Sequence, residues 1–201
     1  MKQNRIFTVS VIIILSTNAF ADDTNEAVKT KDMMASLQNN YLPTVERTIS
    51  DFSSERQQMI ADLLNVFKDA KSSNLSQCAA GYCLGEIRAS EAADTLASKI
   101  TLELDLSKYP IDHFPICAGT PILQALVKIG NPSFPAVIRN LEESDDIQVR
   151  DLSLKVLYRI DGDKDIVQLR LQKALKAEKD PQKQARIQAA IKSLRESRSP
   201  Y

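Results

Sequence analysis

Residues 121–175 carry the decisive pattern. They read PILQALVKIG (121–130), NPSFPAVIRNL (131–141), EES (142–144), DDIQVRDLSLKVLYRI (145–160) and DGDKDIVQLRLQKAL (161–175). Within each long segment apolar residues recur at three- and four-residue steps, the period of a helix that buries one stripe. The breaks between segments are short and rich in Gly, Asp, Asn and Pro, the residues that end helices and make turns. The stretch predicts two helical hairpins laid end to end.

Working outward, the same pattern returns on both sides. Leu84-Gly-Glu-Ile87, Leu126-Val-Lys-Ile129 and Leu157-Tyr-Arg-Ile160 each close a first helix. The breaks Arg88-Ala-Ser90, Gly130-Asn-Pro132 and Asp161-Gly-Asp163 follow, and then the second helices EAADTLASKI, SFPAVIRNL and DIVQLRLQKAL. A fourth, weaker first helix is expected over residues 185–194, after the cap-like pair Asp180-Pro181. The tetrads repeat after 42 residues (84 to 126), 31 (126 to 157) and about 34 (157 to 191). Periods of this size built of helix pairs mark a solenoid, in which each pair buries its stripe only against its neighbours. Asn131 before Pro132 is expected to cap the second helix of its hairpin, and Asp145-x-x-Gln148 to form a capping box. Upstream, Ser54-Glu-Arg-Gln57 fits another box, opening a helix with Met59, Leu63, Val66 and Phe67 on one stripe. That stripe is read as a cap on the array. A polar lead-in from Asp22 and a helical stripe of Met33, Met34, Leu37 and Tyr41 precede it.

The tetrads, the small residues before them and the Ala/Val-Pro-x-Leu character of the second helices resemble HEAT repeats, in particular the short bacterial type of the phycobilisome lyases. Asp146-Ile-Gln-Val149-Arg150 also resembles that family's aspartate and Val-Arg helix opening. The likeness covers roughly residues 76–196; the first copy departs in lacking the Pro before its second helix. It implies an all-α fold, a short HEAT-like α-solenoid of three to four hairpins with N-terminal capping helices. The expected organisation is a signal peptide at 1–21, a helical lead-in and cap at 22–74, and a repeat domain at 75–201.

The first 21 residues read as an export signal. MKQNR is a short basic start, IFTVSVIIIL an apolar run of about ten residues, and Ala19 and Ala21 hold the small positions of a cleavage site. A membrane-spanning helix needs about 20 apolar residues, so this run is too short to span. The mature chain is expected to begin near Asp22 and to be soluble in the periplasm or outside the cell, with no membrane insertion. Composition agrees with an all-helical chain: aromatics are 5%, Trp is absent and there are only 5 Gly, too few for a turn-rich β fold. Without the leader, which holds Lys2 and Arg5, 24 basic residues face 26 acidic ones, so no nucleic-acid partner is expected.

Chemistry-bearing stretches are few. The gap between the first two copies is longer than the others, and the excess lies in residues 104–117, LDLSKYPIDHFPIC, with Tyr109, His113 and Phe114. Insertions in repeat arrays map to loops on one face, often the binding face. The loop is therefore either a partner contact through these three residues or a plug, with Phe114 and Ile116 folded onto the stack. His113, the only His, has no acidic or Cys partner at ligand spacing, so no metal is expected. Of the cysteines, Cys83 aligns with Ala125 and Val156 and is expected in the core. Cys78 and Cys117 lie near the starts of successive first helices, so Cys78–Cys117 is the favoured disulfide candidate and Cys83–Cys117 the alternative. Asp161-Gly-Asp-Lys-Asp165 begins like a calcium loop, but Ile166 and Gln172 stand where Gly and Glu would be needed, so it is read as a capping turn. The last helix carries a charged face, read as solvated or as a partner contact.

No catalytic set, zinc spacing or phosphate loop can be assembled, and no cofactor is expected. The leading expectation is a non-catalytic, protein-binding scaffold, for example an immunity or inhibitor protein. A structural component of an envelope assembly is the second. The lyase resemblance implies a third, a bilin-handling enzyme, which an export signal disfavours because those enzymes work inside the cell.

Overall fold

The computed structural model describes residues 56–104 and 120–196. Among the described residues the chain is all-helical, with eight α-helices and no strand. In order these are α1 (Arg56–Lys68), α2 (Asn74–Glu86), α3 (Ala93–Ala97, entered through a 3-10 turn at Ser90–Ala92), α4 (Pro121–Ile129), α5 (Phe134–Glu143, entered through a 3-10 turn at Asn131–Ser133), α6 (Ile147–Asp161), α7 (Lys164–Ala177) and α8 (Pro181–Glu196). None of the described helices is long and apolar enough to cross a membrane. The leader, the stripe from Met33 to Tyr41, the cap Ser54, and Tyr109, His113, Phe114 and Cys117 all lie outside the described residues. Both cysteine pairings fall outside with Cys117.

The helices that end in tetrads form a row: α4 packs on α2 at one side and on α6 at the other. Leu84, Leu126 and Leu157, the first residues of the three tetrads, are all fully buried, as is Cys83 beside Ala125 and Val156 in register. Each buried Leu is worth about 2 kcal/mol in apolar surface removed from water. Behind this row α3 packs on α4 and α5, while α1 covers α2 with Met59, Leu63, Val66 and Phe67, all buried. One continuous apolar core runs from Met59 to Leu194.

At Gly85 the row is tight against backbone. A Cβ there would lie 2.6 Å from Ala125 Cα and 2.8 Å from its Cβ, so α2 and α4 meet almost backbone to backbone. That is the physical use of the Gly in Leu-Gly-x-Ile. At the ends of the three tetrad helices the backbone turns left-handed, through Arg88 (φ 50), Gly130 (φ 78) and Gly162 (φ 70). The last two are glycines, which adopt such angles freely; a residue with a Cβ pays about 1–2 kcal/mol there.

Polar joints hold the layers in place. Ser73 caps α2 by accepting from Ser76 N (3.1 Å), and buried Gln77 donates to the carbonyls of Asp69 and Ser72. Lys99 Nζ donates to Phe67 O, at the end of α1, and to Gln77 Oε1. From α5, Asn140 Nδ2 donates to Ala97 O at the end of α3 (2.9 Å).

Three expectations need correction. Asn131 does not cap α5. It opens the 3-10 turn, and its side-chain oxygen accepts from Arg170 (3.3 Å), while Ser133 Oγ donates to Gly130 O and Leu126 O. The cap of α6 is Asp146, not Asp145: Asp146 has extended backbone and accepts from Gln148 N (2.8 Å), whereas Asp145 turns outward to the Arg186 guanidinium. The fourth copy does not extend the tetrad row. α8 lies chiefly on α5 and α7, with a smaller contact on α6, and buries Ile187, Ala190, Ile191 and Leu194. Its cap, Asp180 accepting from Gln182 N (2.7 Å) just before Pro181, is as expected. Part of its charged face is spent within the chain, because Lys183 bonds Glu143 (2.7 Å) and Arg186 bonds Glu142 O (2.9 Å) as well as Asp145.

Two outcomes follow from this packing. Gly85→Ala should destabilise the chain by about 1–3 kcal/mol, because the obstruction is backbone and cannot swing aside; chemical denaturation measures it, and a change below about 0.5 kcal/mol would contradict the close approach. At the α5–α8 joint, burial first and then the Glu178 charge push the Glu142 carboxyl above its usual range, against the pull of Lys183. The folded chain holds that proton more tightly than the unfolded one, so the ionised group costs stability at neutral pH and ceases to as the pH falls. Glu142→Gln should therefore raise Tm at pH 7, with the gain gone near pH ~4; thermal unfolding at the two pH values checks the sign.

Candidate functional site

The turns that follow the tetrads come together along one edge of the row. Arg88, residues 127–132, residues 159–161 and Arg170 border one open depression of about 550 Å³. The third places of the second and third tetrads, Lys128 and Arg159, border it, and Glu86, the third place of the first, bonds Lys128.

Lys128 bonds the Glu86 carboxylate across the α2–α4 interface, and its ammonium stands 4.7 Å from the centre of the Tyr82 ring. Partial burial lowers its pKa from the ordinary lysine value. Arg170, from α7, grips Asp161 with a two-point fork: Nε to Oδ2 at 2.8 Å and Nη2 to Oδ1 at 2.9 Å. Nη2 also donates to Asn131 Oδ1, and the guanidinium lies over the Phe134 ring, 4.0 Å from its centre. The Asp161 side chain is only 6% exposed, so Arg170 is its chief counter-charge. Arg88 and Arg159 differ from these two. Both are exposed, and neither side chain has an ion-pair or hydrogen-bond partner among the described residues.

The segment 161–165 is a capping turn. Gly162 is left-handed, Asp163 accepts from Asp165 N (2.7 Å) and Ile166 N (3.4 Å), and Asp161 is taken by Arg170. Among the described residues no group of three His, Cys, Asp or Glu side chains is placed to hold a metal ion. Of the site residues expected from the sequence, Cys78 is described: it is fully buried in α2. Tyr109, His113, Phe114 and Cys117 are not among the described residues. The cationic edge was not anticipated, although its signal was visible in the variable third place of the tetrads. Arg170 gave no such signal, since its place depends on how α7 lies against Phe134.

Compared with family models, with curated proteins and with solved structures, the chain finds no match in any of the three.

Arg170→Ala should cost about 2 kcal/mol, because it strands the nearly buried Asp161 carboxylate. Arg170→Lys should recover less than half of that loss, as it keeps the charge but not the fork or the ring stacking. Urea unfolding of the two variants beside the wild type provides the comparison; equal stability of all three would show that the cluster carries no stabilising role.

Proposed function

We propose that this chain is an exported, non-catalytic protein-binding scaffold whose helix pairs form a short HEAT-like solenoid. The observation that carries the reading is the row α2–α4–α6, with α3 and α5 behind it and the turns of successive pairs brought to one edge. Such stacking presents side chains from several repeats on one continuous surface, the means by which solenoids bind without active-site machinery. The leader-like first 21 residues support action in the periplasm or outside the cell. An immunity or inhibitor protein is a form of this activity that fits the chain's small size. A structural role by self-association is the second reading, favoured by Ile166 and Leu169, which stand 43% and 64% exposed on α7.

The test is to express the full chain with its own leader and a C-terminal tag, and to isolate it from the periplasm. The scaffold reading expects one stoichiometric partner that raises Tm when added back to the purified chain, as a ligand of the native state must. No partner, together with concentration-dependent self-association in sedimentation, would replace it with the structural reading.

A further inference from the structure

The depression beside the tetrad turns is more cationic than the fold requires. Four cations border it, Arg88, Lys128, Arg159 and Arg170, against one bordering carboxylate, Asp161. That carboxylate is nearly buried and already held by Arg170, and Lys128 is engaged with Glu86. Among the described residues, Arg88 and Arg159 are left over. Arg159, the third-place residue of the last tetrad, has no counter-charge among the described residues. Arg88 occupies a left-handed turn for which the other two tetrad helices use glycine. Its side chain is exposed and bonds nothing among the described residues, so a strained backbone position carries a charge that the packing does not use.

From this we infer that the edge is the docking site for an acidic, carboxylate-bearing segment of the protein partner, held by Arg88 and Arg159 at its two sides. The inference rests on the scaffold reading and narrows it to one surface and one partner chemistry. Guanidinium groups suit carboxylates because their planar forks accept two-point bonding. A nucleic acid fits less well. Its backbone calls for a long basic track, and a chain with 24 basic and 26 acidic residues after its leader has no basic excess to supply one. The depression is also short and open, the size for a few side chains rather than a strand of nucleotides.

The experiment uses the full chain and two fluorescent probes, an octaglutamate peptide and an eight-thymidine oligonucleotide, followed by anisotropy at about 50 and 200 mM salt. One variant is Arg88→Asn with Arg159→Gln; Asn tolerates the left-handed turn and Gln the helix. A control of equal charge change, Lys68→Ser with Lys71→Ser, alters the end of α1 and the turn before α2. Binding of octaglutamate that weakens with salt, falls about tenfold in the arginine variant and is unchanged in the lysine variant is the expected result. No peptide binding, equal loss in both variants, or tighter binding of the oligonucleotide would overturn the inference. A partner captured from the periplasm that the arginine variant retains in full would overturn the site while leaving the scaffold reading intact. Absence of any partner would remove the scaffold reading, and the peptide titration would then judge the edge alone.

Discussion

The near-contact of two helix backbones at Gly85 and Ala125 sets the geometry on which the rest of the described structure depends. Helices separated by large side chains can slide and rotate with little penalty, because those side chains have alternative rotamers. A Gly facing an Ala leaves nothing to rearrange. With α2 and α4 locked in register, their tetrads lie side by side, and so do the residues on either side of them. Leu84 and Leu126 then face the core together, while Glu86 and Lys128 face the edge close enough to form an ion pair. The electrostatics of the edge thus follow from a packing constraint in the core.

The same register divides charge between the two ends of the helices. At the tetrad turns, carboxylates are few and spoken for, and the cations reach outward. At the opposite ends Glu142, Glu143, Asp145, Asp146 and Glu178 gather around the joint of α5 with α6 and α8, and Lys183 and Arg186 neutralise part of that cluster from within the chain. The mutual bond between Lys183 and Glu143 raises the lysine pKa and lowers the carboxylate pKa. A near-zero net charge therefore conceals two ends of different character. Whole-chain balance supplies no basic excess for a polyanion, and it does not report on a short, local charge.

What the sequence made legible was whatever depends on periodicity. The helical class, the stripe from Met59 to Phe67, the burial of Cys83 and the three tetrads all follow from apolar spacing, which is fixed by helix geometry alone. The cap at Asp180 was legible for a similar reason, being a local bond two residues long. Misreadings arose where a local signal had a competitor in space. Asn131 has the chemistry of a cap, but Arg170 claims its side chain. Asp145 and Asp146 are equivalent in sequence, and Arg186, forty residues later, draws the first away and leaves the second to cap α6. The helical pattern of α8 was plain. Its place was not, because a stripe of Ile187, Ala190, Ile191 and Leu194 records that one face is buried and not which neighbour buries it.

That last point bears on how α8 is covered. If α8 continued the tetrad row, its outer face would present another stripe and invite another repeat. Instead it folds back across α5 and α7, fastened by Arg186 and Lys183 to the end of α5, so its apolar stripe is consumed inside the chain. Its outward residues, Lys192 and Glu196, pair with each other at 3.8 Å in solvent. A helix placed this way needs no new sequence pattern, only a different neighbour to pack on. The cost appears on α7, which is covered on the side of Val167 and Leu171 but leaves Ile166 and Leu169 in water. α8 therefore fills the core while one apolar strip of α7 stays in water, and at the tetrad edge Arg88 and Arg159 keep their side chains exposed and unpaired among the described residues.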